Sequence, residues 1–160
     1  KSKRSLNEAQ KQAIEKVKMQ DVCNFYMGTL VQADDPVLNR KVTTNMVLID
    51  RDTPLPATKT DTLVTIYDDQ EAISIDITQS EGREKDRQFV NIIHQGRLEF
   101  PDKKPKGRPI QVTYKYDTSG KLHCTFTDES SKKKYEISIR PESAEDLKKQ
   151  YESVEHIVIE

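Results

Sequence analysis

The chain has 160 residues, a net charge of −1, and nearly equal shares of charged (33%) and hydrophobic (34%) residues. The near-zero charge gives no overall bias towards nucleic acid or a membrane surface, and no apolar run approaches the roughly 20 residues that span a bilayer. The length suits one domain with an appended helix. The opening Lys1-Ser2-Lys3-Arg4 has no apolar signal core behind it. A chain that starts without Met is expected to be an excised piece of something longer. Cys23 and Cys124 have no C-x-x-C spacing and read as two free buried thiols in a reducing compartment.

Ser5 with Glu8 has the form of a capping box. Leu6, Ala13 and Val17 share a stripe behind it, which predicts a helix from about Leu6 to Lys18. From Asp21 to Arg140 the period switches to two. The expected strands are Asn24 to Gln32, Thr44 to Asp50, Thr62 to Tyr67, Ala72 to Gln79, Arg97 to Phe100, Ile110 to Asp117, Leu122 to Asp128 and Tyr135 to Arg140. The clearest pair is joined by Asp117-Thr118-Ser119-Gly120, where Gly120 supplies positive φ. Ala33 to Thr43 reads as a long loop, Ser80 to Gln88 as a charged, solvated excursion, and Pro101 to Pro109 as an irregular crossing. After Pro141, Ser143 can cap a second helix whose stripe is Leu147, Tyr151 and Val154. Eight short strands with no βαβ unit predict a mainly β chain, an antiparallel sandwich.

Little here suggests catalysis. His94, His123 and His156 are far apart, and His123 and Cys124 point to opposite faces of one strand, so no metal site is expected. No phosphate-binding glycine loop or nucleophile elbow occurs, so this chain by itself is expected not to hydrolyse ATP. The basic runs Lys103, Lys104, Lys106, Arg108 and Lys132 to Lys134 read as solvated loop residues. The nearby Tyr114, Tyr116 and Tyr135 have inward parity, so no nucleic-acid surface is expected. Asp34-Asp35 and Asp68-Asp69 read as turn formers. The remaining feature is an apolar surplus. Leu63, Val64 and Ile66 make both faces of one strand apolar, beside Ile73, Ile75 and Ile77. Such strands can pack sheets or line a groove for an apolar ligand.

Several of these segments resemble one family. Asp21-Val22 with Phe25-Tyr26-Met27-Gly28-Thr29 looks like a linker end and first strand. Thr53-Pro54-Leu55-Pro56 looks like the family's turn after strand two. Asp68-Asp69-Gln70 before Ala72-Ile73-Ser74-Ile75, Glu81-Gly82-Arg83, and the hairpin from Gly107 to His123 complete the match. The family is the DnaK-type seventy-kilodalton heat-shock chaperones, in their peptide-binding β-domain. The resemblance implies a helical linker segment over 1–20, a β-sandwich peptide-binding domain over 21–140, and the start of a helical lid over 141–160. It implies a cytoplasmic chaperone domain, not itself an enzyme, that holds extended apolar segments of unfolded clients. Its partners would be such peptides, co-chaperones and an ATPase domain carrying ATP and Mg outside this chain, with no cofactor or metal of its own. By matching, the peptide site comprises Thr29, Val31, Gln32, Leu63, Ile66, Gln70, Ile73 and Ile75, with Val31 and Gln32 at an arch and Gln70 beside the peptide backbone. Thr29 and Gln32 are polar where the family prefers apolar residues, and Leu63 replaces an aromatic. The alternative reading is a scaffold or interaction domain of the same ancestry that no longer binds client peptides.

Overall fold

Successive side chains of a strand point to opposite faces of its sheet, and the apolar faces of two sheets need each other to be covered. The computed structural model describes residues 21–141. The strands are β1 (Tyr26–Asp35), β2 (Arg40–Ile49), β3 (Ala57–Val64), β4 (Ala72–Ser80), β5 (Asn91–Glu99), β6 (Pro109–Tyr116), β7 (Leu122–Asp128) and β8 (Lys134–Ile139). They form two four-stranded antiparallel sheets, ordered β2-β1-β4-β5 and β3-β6-β7-β8. This is the expected sandwich. The expected helices at Leu6 to Lys18 and after Pro141 lie outside the described residues.

The alternation in β6 and β7 is strict. Ile110, Val112, Tyr114, Tyr116, Leu122, Cys124 and Phe126 are all buried, against Met27, Ile75, Ile77 and Leu98 from the other sheet. Cys23 and Cys124 are both buried free thiols. Burial pushes the Cys124 thiol up, because a thiolate there would lose its water.

Three expectations about elements need correction. Ala33 to Thr43 is not a long loop. β1 and β2 stay paired from Met27↔Ile49 out to Asp35↔Arg40, and only Pro36 to Asn39 turn. The Asp35 carboxylate accepts the N–H groups of Val37 (2.9 Å) and Leu38 (3.2 Å), and Asn39 takes positive φ, an Asx turn that a scan for glycine misses. β3 begins earlier than expected, at Ala57, and ends at Val64, so Ile66 is not a strand residue. Its exposed Thr58 to Thr62 hide it from a search for apolar alternation. β5 runs over nine residues rather than from Arg97 to Phe100, because its edge position tolerates Asn91, His94 and Gln95.

Two polar segments are also less solvated than expected. The segment 81–90 is docked on the first sheet. The carbonyl of Lys85 accepts from the Asn45 N–H (2.7 Å) and the Thr44 hydroxyl (3.0 Å), and that of Glu84 from the Asn45 amide (2.9 Å). Arg108, read as part of a basic loop, is buried in an ion pair with the fully buried Asp128.

Candidate functional site

The first sheet is incomplete in its middle. β1 pairs with β4 only over Tyr26↔Ser80 to Thr29↔Ile77. Beyond Thr29, β1 is paired with β2 alone, and the first half of β4, Ala72 to Asp76, with β5 alone. The two strands therefore diverge and leave facing edges whose main-chain groups have no ladder partner. The Thr29 hydroxyl, 1% exposed, donates to the carbonyl of Asp76 (3.0 Å), making the last link before the split. From the opposite sheet the Tyr114 hydroxyl donates to the carbonyl of Gly28 (2.7 Å) and pins β1 at that point. Gly28 has no alternative there, since a Cβ would run into the carbonyl of Met46 on β2.

The split opens a cleft of about 610 Å³, within the size range of ordinary ligand sites. Through it the inner side of the second sheet is reached at Ile110 and Phe126. Seven of the eight residues expected at a site line it: Thr29, Val31 and Gln32 from β1, Leu63 at the end of β3, Ile66 and Gln70 from the β3–β4 connection, and Ile73 from β4. Ile73, Leu63, Ile66 and Val31 are half-buried, Gln32 is exposed. Ile75 does not belong with them. It is 0% exposed and packs in the sandwich core, because it faces inward at a point where the second sheet covers it. Ile73 and Ile75 share a strand face but not a fate.

The wall formed by residues 65–70 is held from two directions. Gln70 accepts the Ile66 N–H (3.3 Å) and donates to the carbonyl of Ala72 (2.9 Å), so its amide closes the turn. Behind it, the Thr65 N–H donates to the carbonyl of Arg108 (3.0 Å), the Thr65 hydroxyl accepts the Arg108 N–H (3.0 Å), and the Gly107 N–H reaches the carbonyl of Thr65 (2.9 Å). The Asp69 N–H meets the carbonyl of Lys104, and the Lys106 N–H meets the Asp68 carboxylate, each at 2.9 Å. That second segment is anchored by the Arg108 guanidinium. It donates to Asp128 (2.9 Å from Nε) and Asp102 (2.7 Å) and lies 4.2 Å from the centre of the Phe100 ring. Burial opposes the Asp128 carboxylate, but Arg108 and the Ser131 hydroxyl outweigh it and hold its pKa at about 2. The bonds to Asp128 and Asp102 in turn raise Arg108 above its ordinary value against the effect of burial.

Sequence reading missed two parts of the site. Thr43, on β2, lines the cleft only because the β1–β2 hairpin extends past the point where β1 leaves β4. Arg87 lines it from a short 3-10 turn, Arg87–Phe89, inside the segment read as a solvated excursion. Neither carries a sequence signal, since both depend on where separate segments meet. The hairpin tip does not fill the cleft: Val37 is 89% and Leu38 52% exposed.

Compared with known proteins, the chain matches the Hsp70 protein family over residues 9–158. The chain belongs to the Hsp70 family. Over 135 residues it is 31% identical to the chaperone protein DnaK of Metamycoplasma hominis, covering 82% of this chain and 20% of that protein. The chain thus spans about a fifth of the length of that Hsp70 relative. Among the described residues no helix is long and apolar enough to cross a membrane, and no three His, Cys, Asp or Glu side chains are grouped as metal ligands.

Proposed function

We propose that this Hsp70-family chain is a chaperone's peptide-binding unit, and that the cleft between the diverging halves of β1 and β4 is where an extended apolar segment is held. The observation that carries this is the split itself. Two strand edges face each other without ladder partners, and a pocket lined by Leu63, Ile66 and Ile73 lies between them. Extended peptides are held through main-chain bonds, and selected by a pocket for alternate side chains. Burying one leucine side chain contributes roughly 1.5–3 kcal/mol, and each main-chain bond about 0.5–1.5 kcal/mol. Together these suit a weak, reversible grip. In this reading residues 21–140 form the peptide-binding unit. An ATPase domain of the full-length protein, with its ATP and Mg, controls it, and unfolded clients and co-chaperones are the partners in the cytoplasm.

The test is fluorescence anisotropy of a labelled leucine-centred heptapeptide with the wild-type chain and with Ile73→Phe. Ile73 is half-buried at the cleft, so the larger ring projects into the space the peptide side chain needs. Affinity should fall roughly a hundredfold, the equivalent of one excluded leucine, with little change in the melting curve. Equal binding by both proteins would place the grip elsewhere. No binding by either would favour a scaffold domain that has lost client binding.

A further inference from the structure

The cleft carries one cation that the fold does not use. Arg87 is exposed and lines the cleft together with Gln32 and Thr43, which are register partners on β1 and β2. Its guanidinium has no side-chain partner among the described residues, unlike Arg83, paired with Asp50, Arg97, paired with Glu99, and Arg108. Its position is built. The Asp86 carboxylate caps the short turn by accepting the Gln88 N–H (3.0 Å) and its amide (3.0 Å). The preceding carbonyls of Glu84 and Lys85 are bound to Asn45 and Thr44 of β2. The other charged residue of the lining, Asp76, is engaged by the Gln95 amide (2.9 Å), and the remaining lining residues are apolar, hydroxyl-bearing or amide side chains.

We infer that Arg87 makes the cleft select extended segments in which an acidic residue flanks the apolar anchor, a carboxylate that reaches the guanidinium at the Gln32–Thr43 end. This rests on the cleft being the peptide site. A guanidinium matches a carboxylate in a forked, two-bond geometry, and at a partly exposed position such a pair is worth a few-fold in affinity. A lysine in the same place meets like charge.

The experiment titrates this chain with labelled leucine-centred heptapeptides flanked on either side by Glu, Gln or Lys, at low and at high salt. Wild type, Arg87→Gln and Arg87→Glu are compared, with melting curves alongside. The expected result is roughly three- to fivefold tighter binding of the Glu-flanked over the Lys-flanked peptide at low salt. The preference should shrink at about 1 M salt, where the screening length is near 3 Å. It should vanish in Arg87→Gln and invert in Arg87→Glu, with melting points unchanged. Equal binding of Glu- and Lys-flanked peptides by the wild type, or a preference that survives in Arg87→Gln, overturns the inference while leaving the peptide site standing. Absence of binding by all peptides overturns the peptide site, and this inference with it.

Discussion

Arg108 and Asp128 form the buried ion pair behind the cleft wall, with Asp102 and Ser131 completing its hydrogen bonds. Breaking such a pair strands one charge away from water, so Arg108→Ala should cost roughly 3–5 kcal/mol in urea unfolding. Asp128, held at about 2 against an ordinary 3.8, is depressed in the folded state. Its contribution is therefore whole above pH 3.8 and is lost as pH falls towards 2. Asp128→Asn should flatten the pH dependence of stability between pH 4 and 2. An unchanged slope would assign that acid sensitivity to other carboxylates. The two isoleucines of β4 make a second contrast. Ile75→Ala opens a cavity in close-packed core and should cost roughly 2–5 kcal/mol. Ile73→Ala, at a half-buried site on an open cleft, should cost clearly less. Equal losses on urea melting would mean that the cleft is closed over Ile73 in solution.

The elements that matter most for the site are the two connections that flank it. The β1–β2 hairpin carries Val31, Gln32 and Thr43 past the split, and its outer end is tied by the Asp34–Lys41 ion pair (2.7 Å). The segment 81–90 depends on Asn45. That side chain accepts the Thr78 hydroxyl (2.5 Å) across Gly28 and donates to the carbonyl of Glu84. Asn45 is 5% exposed, so Asn45→Ala leaves the buried Thr78 hydroxyl without its acceptor and should cost roughly 1–3 kcal/mol. It should also release the turn that carries Arg87. Hydrogen exchange would show this as faster exchange at the backbone N–H of position 45, which donates to the carbonyl of Lys85, with β6 and β7 protected as before. Unchanged exchange there would mean that the backbone bonds alone hold the segment.

On the scale of the whole molecule, the two sheets have different duties. The second sheet pairs continuously from β3 to β8 and supplies the closed side of the core. The first sheet gives up its central ladder beyond Thr29 and Ile77. Bonding to a bound peptide would satisfy those edges. Saturating peptide should therefore slow hydrogen exchange in the second half of β1 and the first half of β4, and leave β6 and β7 unaffected. Uniform slowing across both sheets would indicate only general stabilisation by ligand, with no engagement of the split edges.

Much of this was written in the chain. Period-two alternation from Ile110 to Phe126, with Asp117 to Gly120 between, determines the hairpin and its buried face, because a strand's side chains alternate whatever surrounds them. Local turn chemistry at Asp68 to Gln70, and the apolar Leu63, Ile66 and Ile73, mark seven of the cleft residues through the family resemblance. What alternation does not record is distance along the strand from a covering sheet, so Ile73 and Ile75 look alike in sequence and differ in burial. Nor does it record that β1 leaves β4 after Thr29, that Arg108 finds Asp128 twenty residues on, or that Arg87 is brought back to β2. Those outcomes depend on contacts between segments remote in sequence, and only the folded arrangement of both sheets decides them.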